Sequence, residues 1–189
     1  MSKSGDRMNK NIEEIVKTSV KRFEFVLPCL IGEVDGDVVD EITYMKGHEI
    51  GGLGFQKGIC IHFQYSDLAK GEAFCLISAK DVRRIVKLMM NMDVVDEGEE
   101  ICEPLTNLEC EAVCEFVRLS MVGPDISLFS ELAEKEVDGE ITGFELIDFF
   151  SGDWIDKLGI APAEEYLVDR ISYDTKRAKG IQIYRGYRG

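Results

Sequence analysis

The sequence predicts a single α+β domain built from two similar halves, and three observations carry that prediction. Helical periodicities opened by capping residues alternate with short apolar strands, the strands fall into two hairpins, and the two hairpin segments resemble one another. With 189 residues, 45% of them hydrophobic, the chain is expected to bury on the order of 70% of its extended surface. Its core then needs no disulfide or metal staple. The domain is expected to span residues 1–189, with 1–8 as a loose N-terminus.

Ile12, Ile15, Val16, Val20, Phe23 and Leu27 recur at helical spacing and predict a first helix over about 9–27. Pro28 should end it, since proline cannot continue the hydrogen-bond ladder. Glycines 47, 51, 52, 54 and 58 break the chain into short pieces that read as strand turns. No Gly-Lys-Ser/Thr follows them and their spacing is not that of a dinucleotide fingerprint, so strand turns are expected in preference to a phosphate-binding loop.

Ile59–Tyr65 and Ala73–Ile77, joined by a turn from Ser66 to Gly71, predict the first hairpin. His62 within it and His48 among the glycines have no neighbouring nucleophile or carboxylate motif, and both read as structural or surface residues. Ser78-Ala79-Lys80-Asp81 opens a helix whose stripe of Val82, Ile85, Val86, Met89 and Met90 runs to about Met92. The two methionines read as adaptable core packing. Residues 93–103 read as a solvated acidic loop.

Thr106-Asn107-Leu108-Glu109 is a capping box for a helix to about Val122. Gly123-Pro124-Asp125 should stop it and start another, carrying Ile126, Phe129, Leu132 and Ala133. Leu167–Tyr173 and Ile181–Tyr184 around a Lys/Arg-rich turn predict the second hairpin. The stretch IHFQYSDLAKGEAFCLI from Ile61 and the stretch VDRISYDTKRAKGIQIY from Val168 both place a Tyr and an Asp, with a Ser between them in the first only, before a Lys-Gly turn and an apolar strand. They imply an internal duplication with an offset of about 108 residues.

The net charge of −14 disfavours phosphate backbones and anionic lipid surfaces, so neither nucleic acid nor membrane insertion is expected, and a partner with a basic contact patch fits better. Lys176, Arg177, Lys179, Arg185 and Arg188 at the C-terminal end read as a solvated hairpin. Six cysteines (29, 60, 75, 102, 110 and 114) form no Cys-x-x-Cys pair, which points to a reducing, cytoplasmic setting. Cys110 and Cys114 lack the partners of a zinc site, and no metal or cofactor of the chain's own is expected. The start has no signal-peptide plan, and no apolar run approaches the roughly 20 residues of a membrane span.

The segment GEAFCLISAKDVRRIVKLMMNMD followed by PLTNLECEAVCEFVRLSMVGPDISLFSELAEKEV resembles the central part of the CheC, CheX and FliY family of bacterial chemotaxis and flagellar-switch phosphatases, over roughly residues 58–137. The resemblance implies helices packed on an antiparallel sheet with a pseudo-twofold CheC-like repeat, and a homodimer formed through sheet edges. It implies a phosphorylated CheY-like response regulator as partner, whose acyl phosphate is hydrolysed and which contributes the Mg²⁺. The family motif, an acidic residue or Ser, then Glu four positions on and Asn three positions after that, falls on Glu111, Glu115 and Arg118.

By that resemblance Glu111 and Glu115 contact the partner, while Glu115 and Arg118 occupy the catalytic positions, with arginine where asparagine is expected. A carboxamide accepts a hydrogen bond from water and donates another, whereas guanidinium only donates. The expectation is receiver binding with impaired phosphatase chemistry. The alternatives are an active phosphatase and a structural partner in a flagellar-switch-type assembly. The first helix, within NIEEIVKTSVKRFEF, carries no second copy of the motif.

Helical geometry gives an independent reading of the same residues. Positions 111, 115 and 118 lie within about 60° of one another on a helix, with Val113, Phe116 and Val117 on the other side. The polar triplet should stay accessible as a salt-bridged stripe while the apolar one enters the core.

Overall fold

The computed structural model describes residues 3–32, 34–53, 57–66, 71–94, 104–122, 140–149 and 160–188. In chain order these form α1 (Lys3–Ile31), β1 (Val39–Lys46), α2 (Gly47–Ile50), β2 (Gly58–Ser66), β3 (Gly71–Ser78), α3 (Ala79–Met89), α4 (Asn107–Val117), β4 (Glu140–Phe149), β5 (Glu165–Tyr173) and β6 (Ile181–Arg188). The strands make one six-stranded sheet in the order β1-β5-β6-β3-β2-β4, antiparallel at every pairing.

Strand alternation decides what each face of the sheet holds. Ile59, Ile61, Cys75, Ile77, Leu167, Ile171, Ile181 and Ile183 share a buried core with Val16, Phe23 and Leu27 of α1, Val82 and Ile85 of α3 and Val113 and Phe116 of α4. Cys60, Phe74, Leu76, Tyr166 and Val168 form a second core with Ile50 of α2 and Ile160. Burial on both faces explains why the central strands read as nearly unbroken apolar runs. Gly47 lets α2 dock against the segment after residue 160, because a Cβ there would lie 2.1 Å from the Ala161 carbonyl oxygen.

The two hairpins match in size, with nine residues in β2 and β5 and eight in β3 and β6. Exchanging β1 with β4, β2 with β5 and β3 with β6 turns the strand order into its own reverse, which is the pseudo-twofold repeat. At its centre Leu76 pairs with Tyr184, at the offset read from the sequence.

α1 departs from expectation at both ends, starting at Lys3 and running through Pro28 to Ile31. The proline removes one hydrogen bond on a solvent-facing side, where Glu24 and Phe25 are exposed. Ile31, buried, extends past it the apolar stripe that Leu27 carries up to it. Its burial, about 1.5–3 kcal/mol, offsets much of a proline cost of about 3 kcal/mol. Gly32 then closes the helix at φ 86°, its N–H donating to the Pro28 carbonyl at 3.1 Å.

Other differences follow from exposure and burial. β1 and β4 escaped the sequence reading because both are edge strands, and β1 is exposed at most positions. The glycine-rich stretch forms α2 and a short 3₁₀ turn besides the start of β2. α3 stops at Met89, so Met89 packs against the core whereas Met90 is exposed. Arg185 is not a solvated hairpin residue. It is wholly buried against Asp169, donating from Nε to Oδ2 at 2.8 Å, while its Nη1 donates to Ser19 Oγ of α1 at 2.6 Å. The acidic loop beyond Val94 and the corner and helix expected at 123–133 lie outside the described residues.

Candidate functional site

α4 is fixed before any of its outward side chains is considered. Its N-terminus is a closed capping box, with Thr106 Oγ1 accepting from the Glu109 N–H at 3.3 Å and Glu109 Oε2 accepting from the Thr106 N–H at 2.7 Å. Arg83 of α3 donates from Nε to Glu109 Oε1 at 3.1 Å and from Nη2 to the Pro104 carbonyl, joining the two helices. Val113, Phe116 and Val117 are fully buried. Phe116 meets Phe23 of α1 edge-on, with ring centroids 6.1 Å apart.

With that side locked into the core, Glu111 and Glu115 are exposed and Arg118 is half-exposed, as the helical geometry requires. Arg118 Nε donates to Glu115 Oε2 at 2.7 Å and Nη2 donates to Oε1, a two-pronged pairing of fork and carboxylate. The hydrogen bond from Arg118 holds the Glu115 carboxyl below its usual range, and the same bond raises the Arg118 guanidinium. Leu108, 65% exposed, extends the stripe toward the helix start. The sequence reading passed over it, though the same 100° step places it beside Glu111 and Glu115.

Regular α-helix ends at Val117, and residues 118–122 wind as a π-helical turn where the sequence predicted more α-helix. Ser120, buried within it, donates from Oγ to the Phe116 carbonyl at 2.7 Å. α1 packs against this turn. π-Turns inside helices recur at functional sites, and this one begins on Arg118.

The remaining candidates stay apart from this face. His48 lies in α2 with Nδ1 3.0 Å from the Pro162 carbonyl oxygen, and His62 pairs with Phe74 and Glu145 in the sheet. Cys110 is buried and Cys114 partly buried. Burial pushes the Cys75 thiol up to about 12. Among the described residues no three His, Cys, Asp or Glu side chains gather as a metal site, and no helix is long and apolar enough to cross a membrane.

No family sequence model matches the chain, and neither does the sequence of any curated protein. Solved structures do. The fold is similar to FliY from Thermotoga maritima at a TM-score of 0.68 and 16% identity, over 98% of this chain and 90% of that one. It is similar to a chain of the FliG–FliM complex from H. pylori at a TM-score of 0.63 and 10% identity, over 99% of this chain and 94% of that one. The chain has a CheC/CheX/FliY-type fold.

That fold type also covers a chain of the CheX–CheY–BeF₃–Mg²⁺ complex from Borrelia burgdorferi, at a TM-score of 0.53 and 12% identity, over 92% of this chain and 97% of that one. The helices on an antiparallel sheet, offered above as a resemblance, are therefore the observed CheC/CheX/FliY-type architecture. At identities of 10–16% the likeness concerns the fold, and the chemistry of α4 has to be argued from its own side chains.

Proposed function

We propose that the chain is a chemotaxis or flagellar-switch signalling domain that binds a phosphorylated CheY-like receiver through the outer face of α4, with impaired phosphatase chemistry. The observation that supports this reading is the stripe of Glu111, Glu115 and Arg118, held outward by the burial of Val113, Phe116 and Val117. Glu111 and Glu115 are the partner-contacting carboxylates. Arg118 takes the position of the water-orienting carboxamide, but its N–H groups only donate and two of them are engaged by Glu115. Any Mg²⁺ in the complex belongs to the receiver.

The test is the decay of receiver acyl phosphate with and without this protein, alongside a direct binding titration. Binding with little acceleration is the expected result. A large acceleration overturns the impairment and makes the chain an active phosphatase.

A second reading, a structural partner in a flagellar-switch-type assembly, draws on the TM-scores of 0.68 with FliY and 0.63 with a chain of the FliG–FliM complex, against 0.53 with a chain of the CheX–CheY complex. Binding of a FliG-type protein without binding of a receiver reverses the order of the two readings. In either role a homodimer would pair an edge strand, β1 or β4, and sedimentation at two protein concentrations reads it out.

A further inference from the structure

Resting on the receiver reading, we propose that Arg118 is the group that recognises the partner's phosphoryl group, and that Glu115 is the positioning residue that holds it ready. A guanidinium is a rigid planar fork with two edges able to grip an anion. Glu115 occupies the edge formed by Nε and Nη2. The edge that includes Nη1 takes no partner among the described residues and belongs to a side chain 44% exposed. The two-pronged bridge restrains the long side chain before any partner arrives, so little rotamer freedom is lost on binding.

Charge supports the same assignment. A chain of net charge −14 repels a phosphoryl group at long range, and contact must come through a local cation. Along the exposed stripe of Leu108, Glu111, Glu115 and Arg118, the cation is Arg118. Among the described residues of this stripe, the flanking carboxylates leave an anion the open edge of the fork as its point of entry. The π-helical turn starting at Arg118, with Ser120 bonded back to Phe116, anchors the backbone beneath it. Glu115 thus acts through Arg118 here, in addition to its remaining lone pairs facing the partner.

The experiment titrates the protein with a purified CheY-type receiver of the same organism, once with Mg²⁺ alone and once with Mg²⁺ and beryllofluoride as the phosphoryl stand-in. The quantity read is the ratio of the two affinities. Arg118→Ala is expected to lower that ratio about 10-fold, the worth of a charge-assisted hydrogen bond. Arg118→Lys should recover part of it. Glu115→Gln should lower it by less than Arg118→Ala, and Lys17→Ala, an exposed charge removed from α1, should leave it unchanged. Thermal melts of each variant establish that it is folded. If the loaded receiver binds and Arg118→Ala leaves the ratio intact, this proposal is overturned while the receiver reading stands. An effect of Arg118→Ala with none from Glu115→Gln overturns the positioning role of Glu115. Failure of the wild-type protein to bind either form brings down the receiver reading, and this proposal with it.

Discussion

The two hairpins share lengths and topology but differ in what they bury at the middle. Toward the helices the first presents Ile59, Ile61, Ala73, Cys75 and Ile77, none of them charged. The second presents Asp169 and Arg185 among Leu167, Ile171, Ile181 and Ile183, both side chains fully buried. One half is an apolar slab, and the other has an ion pair that reaches across to Ser19 of α1. The difference teaches that a duplicated frame keeps its strand register while its interior diverges, provided each buried charge brings its partners. It also shows two ways of fastening a helix, since α4 is held by packing around Phe116 and by Arg83 of the neighbouring helix, whereas α1 adds a hydrogen bond from the sheet.

The largest test of this asymmetry is Asp169→Leu, which strands a buried guanidinium that cannot shed its charge. A loss of about 3–5 kcal/mol is expected by denaturant unfolding. Arg185→Met should cost less, because the remaining carboxyl can take up a proton. The double variant, which makes the second hairpin as apolar as the first, should return close to wild-type stability. A double variant as unstable as Asp169→Leu would mean that the pair is needed for more than its mutual compensation.

Next comes Ser19→Ala, expected to cost about 1.5–3 kcal/mol, the range for a hydrogen bond to a charged group. An unchanged midpoint would show that α1 is held by its apolar stripe alone.

A pH series sharpens the comparison without touching the fold. Burial pushes the Asp169 carboxyl up to about 7 from an ordinary 3.8, against the pull of Arg185. The folded state therefore binds the proton more tightly than the unfolded chain. This group's contribution to stability is fully present below about 3.8 and is lost as pH rises through about 7. Relative to the double variant, wild-type protein should gain stability as pH falls from about 8 to about 5, as read by melts across that range.

These tests also mark where the sequence could be read and where it could not. The hairpins, the Ser78 N-cap, the Thr106 capping box and the two sides of α4 follow from local sequence signals, which survive folding because each element buries one clear stripe. At α3 the box stays open, for the Asp81 carboxylate accepts from Ser78 Oγ. β1 did not, since VDEITYMK at a sheet edge is mostly exposed and carries no alternation to detect. Arg185 looked like a hairpin surface charge because its partners, Asp169 and Ser19, are distant in sequence. Pro28 reads as a stop because its local cost is visible in the sequence while the burial of Ile31 beyond it is not. At the candidate site, the stripe was legible but the π-helical turn was not, for nothing in RLSMV distinguishes it from α-helix.

The smallest effect on stability is expected from Arg118→Asn, which breaks only the exposed bridge to Glu115. Melting should barely move. Rebuilding the carboxamide tests α4 against its own chemistry, since placing a water correctly can matter by about 10²-fold. Acyl-phosphate decay that speeds up toward that factor supports the receiver reading, and decay that stays flat while binding persists shows that other parts of the face are missing.

The exchange of outer strands has a consequence for how the chain reaches this state. β1 pairs Val39 with Ser172 in β5, and β4 pairs Phe149 with Gly58 in β2, so each half lends its first strand to the other. Neither half can complete its sheet until nearly the whole chain is available, which makes for high contact order and a slow, all-or-none closure. A lone half would behave like an unsatisfied domain-swapping unit, complete only with a second copy. The present chain reads as such a swapped pair fused into one polypeptide, with the second copy's strand supplied in cis.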